Sequence, residues 1–290
     1  MNETVTIHPR GAFSLRESVE FGFGQRHSEP FAGVMRLAFV LDGFTRQVGV
    51  AVRQDSAGVH LTIDGSDDVV AVKQQVARML SLDHDARPFD AMGRRDPVIG
   101  RLQAVAPGLR PPLFHSPYEG AAWSVLSARR PARQMAEVRR ELSQAHGATF
   151  EVAGEATAAF PTPRQLLDVA SFPGIDDGKL ARLHGVAQAA LDGQLDADRL
   201  VSLGPESAMV DLQQIKGIGP FYASLVVIRA TGFADVVPRD EPMVRALVTK
   251  LYQLDGPCSP EQLDEIAEAW RPFRTWAAVL VRVAGDTLAG

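Results

Sequence analysis

Hydrophobic and polar positions alternate along residues 34–63. Met35, Leu37, Phe39 and Leu41 share one parity, Val48, Val50 and Val52 the next, and Val59, Leu61 and Ile63 a third. Asp42-Gly43 and Ser56-Ala57-Gly58 fall between these runs as turns, so the pattern predicts an antiparallel meander with one buried face. Val69, Val72, Val76 and Leu80 then recur at helical spacing behind Asp67-Asp68, whose charges suit a first helical turn. Residues 1–84 are therefore expected to form a small antiparallel sheet with a helix.

Beyond Asp85 strand-like alternation is almost lost, and helical stretches follow one another between proline and glycine breakers. The pattern predicts helices over Pro97–Val105, Tyr118–Ala128, Ala132–Ala145, Pro163–Ala170 and Asp177–Leu191. Further helices are expected over Ala208–Ile215, Phe221–Thr231, Pro242–Leu251, Pro260–Trp270 and Phe273–Val283. The fold class is thus α+β: an N-terminal sheet and helix over 1–84, followed by a mostly α-helical body over 85–290.

The 290 residues are 46% hydrophobic and 22% charged, an ordinary globular composition with room for a real core. A single cysteine, Cys258, excludes an internal disulfide, a four-cysteine zinc site and a four-cysteine iron–sulfur cluster. The seven histidines are scattered, and none is spaced i, i+4 from another, so no metal and no cofactor is expected. The start lacks the pattern of a signal peptide and no apolar run reaches membrane length, which gives a cytoplasmic expectation without a membrane partner. The net charge of −5 seems to discourage a polyanion, but it is an average. Between Asp85 and Arg140 ten arginines stand against five acids, a local basic stretch on an otherwise acidic chain.

The chemistry concentrates in Leu212-Gln213-Gln214-Ile215-Lys216-Gly217-Ile218-Gly219-Pro220-Phe221-Tyr222-Ala223. Two apolar helices are joined there by Gly-Ile-Gly: the glycines allow a tight turn and Ile218 can plug the core between the helices. Such a turn aims the first amides of the second helix outward, where the helix dipole also favours an anion. It would hold a phosphate backbone without choosing a base, although a plain helical hairpin reads the same way. A loop, Phe233-Ala234-Asp235-Val236-Val237-Pro238-Arg239-Asp240-Glu241-Pro242, then delivers Asp240 to the start of another helix, where an N-cap is the alternative role.

With these motifs and Trp270-Arg271-Pro272-Phe273-Arg274-Thr275-Trp276-Ala277 in this order, the chain resembles the helix-hairpin-helix DNA glycosylases of base-excision repair. The similarity is greatest to the bacterial 3-methyladenine DNA glycosylase II (AlkA) group and extends over nearly the whole chain. The resemblance implies a monomeric protein of the nucleoid whose partner is double-stranded DNA containing a damaged base. The hairpin, Lys216, Gly217, Ile218, Gly219 and Pro220, would grip the backbone, and Asp240 would assist hydrolysis of the N-glycosidic bond of a flipped nucleotide.

Bifunctional members of the family carry a lysine nucleophile early in the second hairpin helix. Phe221 stands there in this chain, which implies a monofunctional enzyme without lyase activity. The wedge segment of the family corresponds to Leu126-Ser127-Ala128-Arg129-Arg130-Pro131. It implies Arg129 as the wedge and Arg130 as a phosphate contact, with a solvated helix end as the other reading. Phe221, Glu241 and Arg282 align with the base pocket. Glu241 suits a cationic or hydrogen-bonding base and Arg282 opposes a cation, so a deaminated or bulky lesion stays open beside an alkylated purine. A damage-binding module without hydrolysis is the reading of another class. Trp270 and Trp276 are expected in the core, and Arg274 is expected to brace the loop that bears Asp240.

Overall fold

The computed structural model describes residues 3–21, 31–239 and 241–289. In chain order the elements are β1 (Glu3–Ile7), α1 (Leu15–Phe21), β2 (Met35–Val40), β3 (Gln47–Asp55), β4 (Gly58–Asp64), α2 (Val69–Met79), α3 (Arg87–Asp90) and α4 (Pro97–Val105). They continue with α5 (Pro117–Ser127), α6 (Ala132–His146), β5 (Thr149–Val152), β6 (Glu155–Ala158), α7 (Pro163–Leu167), α8 (Asp177–Leu191) and α9 (Ala197–Leu203). The last are α10 (Pro205–Leu212), α11 (Pro220–Ala230), α12 (Pro242–Leu251), α13 (Pro260–Ala267) and α14 (Arg274–Ala289). The fold is α+β, with a small antiparallel sheet near the N-terminus and a largely helical remainder.

Packing gathers the chain into two compact units. One comprises Met1–Ile7, Gly33–Met79 and Leu113–Gly232; the other comprises His8–Ala32, Leu80–Pro112 and Phe233–Gly290. The sheet therefore shares a unit with helices from beyond residue 85.

In the first unit the strand order is β1-β4-β3-β2, antiparallel throughout. Register places Leu37 opposite Val50 and Val50 opposite Ile63, so the alternating residues form continuous cross-strand rows. Leu37, Val50 and Ile63 are all buried. The hairpin β5–β6 was not legible from alternation, because its four-residue strands, Thr-Phe-Glu-Val and Glu-Ala-Thr-Ala, present little apolar pattern. It docks through Phe150: a Cβ at Gly49 would sit 2.5 Å from that of Phe150, so only glycine leaves β3 approachable there. The short helices α1 and α9 also lie outside the predicted set. Helix α5 is buried along most of its length and packs against α8 and α11.

In the second unit α4, α12 and α14 close around Trp270, which is fully buried. Its indole Nε1 donates to Asp96 Oδ2 and to the Tyr252 hydroxyl, both at 3.1 Å, and that hydroxyl donates to Asp96 at 2.6 Å. The same carboxylate caps α4 through the amides of Val98 and Ile99. Burial and hydrogen bonding to Asp96 push the Tyr252 hydroxyl far above its ordinary pKa. Trp276 is also buried, its ring 4.7 Å from Phe273 and 5.3 Å from Phe89. Both tryptophans are core residues. Among the described residues no helix is long and apolar enough to cross a membrane, and no cluster of His, Cys, Asp and Glu could hold a metal ion.

Candidate functional site

The glycine turn is built as a hairpin. The chain leaves α10 through bonds from the Ile215 amide to Leu212 O and from the Ile218 amide to Ile215 O. Gly217 then adopts φ +102°, in the region that L side chains rarely enter. Ile218 is 3% exposed and plugs the interior, whereas Lys216 and Gly217 on its flank are exposed. Gly219 is the N-cap of α11 and provides no side-chain cap, Pro220 occupies the first helical position, and the first helical bond runs from the Ala223 amide to Gly219 O at 2.9 Å. Helical geometry leaves the Phe221 and Tyr222 amides without an intrahelical acceptor, at the positive end of the dipole. Phe221 is 59% exposed and stands edge-to-face with Tyr222, ring centres 5.3 Å apart. Gly217→Ala is expected to destabilise the chain by roughly 1–2 kcal/mol. Besides its strained φ, the added Cβ would meet Arg182 Cδ at 3.0 Å. A urea melt unchanged from wild type would contradict this.

Arg129 and Arg130 occupy the turn after α5, both exposed, with Arg129 at φ +56° and the Arg130 amide bonded to Ser127 O at 3.1 Å. Beneath them lies Lys179, which is 7% exposed. Its Nζ donates to Val125 O at 3.2 Å, to Ala128 O at 3.0 Å and to Leu126 O. An ammonium thus closes the carbonyl end of α5, where unpaired acceptors and the negative end of the dipole meet. Burial lowers the Lys179 pKa, and the nearby charges of Arg130 and Arg182 lower it further against the pull of Asp176. Sequence reading missed this lysine, because its acceptors are backbone atoms some fifty residues earlier.

The basic stretch between Asp85 and Arg140 divides in two. Arg87, Arg139 and Arg140 pair with Asp85, Glu119 and Glu137, while Arg95 and Arg110 donate to backbone carbonyls. Arg110 is almost fully buried among carbonyls of Arg10, Gly11, Ala12, Ser81 and His84, and burial brings its pKa down to about 10. Among the described residues Arg94, Arg101, Arg129, Arg130 and Arg133 enter no ion pair.

In the second unit the loop before α12 is clamped. The Asp235 carboxylate accepts from Arg274 Nε at 2.8 Å, from the Arg274 amide at 3.2 Å and from Arg271 Nη1 at 2.9 Å, while Arg274 Nη2 donates to Asp235 O at 2.7 Å. Thr275 Oγ1 accepts from the Val236 amide and donates to Val236 O, and the Thr275 amide donates to Ala234 O. Arg274 therefore braces the loop at Asp235, a partner that local sequence gave no reason to choose. Asp240 lies outside the described residues. Glu241 caps α12, accepting from the Met243 amide at 3.3 Å and the Val244 amide at 2.9 Å, because Pro242 fixes the first helical position and so makes residue 241 the cap. Arg282 Nε approaches Glu241 Oε2 to 3.7 Å, so the structure brings these two predicted residues together as a partly exposed pair. Phe221 and the hairpin belong to the other unit.

No protein-family model matches the chain. Curated relatives include the DNA-3-methyladenine glycosylase of Bacillus subtilis, 23% identical over 214 residues, which are 71% of this chain and 69% of that protein. DNA-3-methyladenine glycosylase 2 of Escherichia coli is 28% identical over 186 residues, covering 62% of each chain. Among solved structures, the 3-methyladenine DNA-glycosylase from Archaeoglobus fulgidus shares the fold with a TM-score of 0.74 at 22% identity, over 99% of both chains. The chain is thus similar in sequence to DNA-3-methyladenine glycosylases and shares, from end to end, the fold of one whose structure is solved.

Proposed function

We propose that this chain is a monofunctional DNA glycosylase that excises an alkylated purine from duplex DNA and leaves an abasic site. The observation that carries the reading is the hairpin Lys216–Pro220, whose uncapped helix start and left-handed glycine form a seat for a phosphate. The loop that follows, held by Arg274 and Thr275, leads to Asp240.

In this reading Lys216, Gly217, Ile218, Gly219, Pro220 and Arg130 hold the backbone while Arg129 enters the duplex where the damaged nucleotide leaves it. Extrusion costs a few kcal/mol, least for a base whose pairing is already damaged. The bond from C1′ to the base nitrogen breaks with its electron pair going to the base, which for a purine carrying a positive charge yields a neutral leaving group. Water adds to C1′ and gives its proton to Asp240, whose charge also stabilises the oxocarbenium-like sugar. Phe221, at the start of α11, has an exposed ring that suits stacking on a base, and Glu241 is the carboxylate next to Asp240 in the chain. The Glu241–Arg282 pair softens the repulsion that Arg282 alone would exert on a cationic base. The protein acts as a monomer at the nucleoid, with residues 85–290 carrying the reaction and 1–84 the sheet.

Of the four lysines in the chain, Lys216 precedes the turn and Lys179 is committed to the carbonyls of α5. None occupies the start of α11, where an amine would attack the sugar. Duplexes carrying one 3-methyladenine analogue, hypoxanthine or uracil, incubated with excess enzyme, are therefore expected to break at the alkylated purine only after hot alkali. Strand scission without alkali, or a product trapped by borohydride, would overturn the monofunctional assignment; release of hypoxanthine or uracil alone would move the substrate to deaminated bases. Binding without release on every lesion would sink the enzyme reading altogether.

A further inference from the structure

We propose that Arg182, on α8, is a DNA-backbone contact that joins the hairpin and the Arg129 turn into one phosphate-binding surface; this rests on the glycosylase reading above. Helix α8 carries Lys179 and Arg182 three residues apart, a spacing that sets them on neighbouring parts of one face. Lys179 reaches the end of α5. The Arg182 stem reaches the hairpin, with Cδ 3.0 Å and Cγ 3.5 Å from the point a Cβ of Gly217 would occupy, and Val125 of α5 comes within 3.6 Å of that same point. The stem therefore lies against the turn backbone at the residue where the absence of a side chain makes room for it.

Its charge has no such employment. Arg182 is exposed, and among the described residues it has no hydrogen bond and no ion pair. Its neighbours are cations: Arg130 and Arg182 both act on Lys179, and Lys216 precedes the glycine that Arg182 covers. Asp176, the nearby carboxylate, accepts from the Lys179 amide as the cap of α8. Asp176 offsets only part of this charge, so the excess of cations costs free energy in the isolated protein, and packing alone would be served by an uncharged stem. A phosphodiester supplies the missing charge, and a guanidinium held by its stem presents planar donors to it while the hairpin amides present theirs.

The test is fluorescence anisotropy on a duplex with a tetrahydrofuran abasic site, from about 50 to 300 mM salt, for wild type, Arg182→Met, Arg182→Lys and Lys216→Met. Arg182→Met keeps the stem and is expected to weaken binding about three- to tenfold at low salt and to flatten the log–log salt slope by about one unit, with Arg182→Lys retaining the wild-type slope. Thermal midpoints of both variants are expected to match wild type. If Lys216→Met flattens the slope and Arg182→Met does not, the hairpin reading stands and Arg182 is only a packing residue. If wild type does not bind the duplex, the glycosylase reading itself falls, and this proposal with it.

Discussion

Asp240→Asn is expected to slow single-turnover base release by about two to three orders of magnitude, while affinity for the abasic duplex stays within about a factor of two. Asparagine has nearly the shape of aspartate and keeps a hydrogen-bonding group, so what is removed is the charge and the proton acceptor. A developing sugar cation gains most from a fixed anion in a site from which water is excluded, since the interaction is then screened least. The loss should therefore fall on the chemical step and not on binding. The neighbouring carboxylate cannot substitute: Glu241 already receives two amides of α12 and sits beside Arg282. Equal rates for wild type and variant on an alkylated purine would remove Asp240 from the mechanism.

The second large effect concerns stability. Glu119 is about 1% exposed within α5, and its Oε2 accepts from Arg139 at 2.6 Å and lies 3.0 Å from His115 Nδ1, while Oε1 accepts from the Val40 amide at 3.1 Å. Glu119→Gln keeps the volume but leaves Arg139 and His115 facing an uncharged amide, and a loss of about 3 kcal/mol is expected, as for breaking a buried ion pair. Burial alone would raise the carboxyl pKa, but His115, Arg139 and the Val40 amide outweigh it and hold it below the ordinary 4.5. A depressed carboxyl contributes its stability above the unfolded value and loses it as pH falls through the native one. Urea melts should thus show wild type losing stability steeply below pH ~4.5, with the variant flatter over the same range. Parallel curves would show that Glu119 is not the source of the acid sensitivity.

What sequence made legible was what is local. The meander followed from parity, the helices from spacing and proline punctuation, and the hairpin from two glycines around an isoleucine that must point inward. The cap of α12 is readable too, since Pro242 at the first helical position makes its predecessor Glu241 the cap. Other features depend on partners far along the chain: Trp270 and Tyr252 meet at Asp96, Glu119 receives Arg139 and a strand amide, and Lys179 closes a helix one hairpin away. Glu119 left one trace, a histidine four residues before it and just ahead of α5. The basic stretch misled in proportion, because a count of arginines does not reveal which of them will be consumed by carbonyls.

The interleaving of the two units also orders their birth on the ribosome. Every segment of the first, with the hairpin, the Arg129 turn and α8, has been synthesised once Gly232 is made, whereas the second still awaits Phe233–Gly290, which brings Asp240 and helices α12 to α14. Translation therefore finishes the unit that holds the glycine hairpin before the one that holds Asp240. A chain broken after Gly232 would keep every segment of the first unit, the glycine hairpin included, and lose Asp240 with the rest of the second.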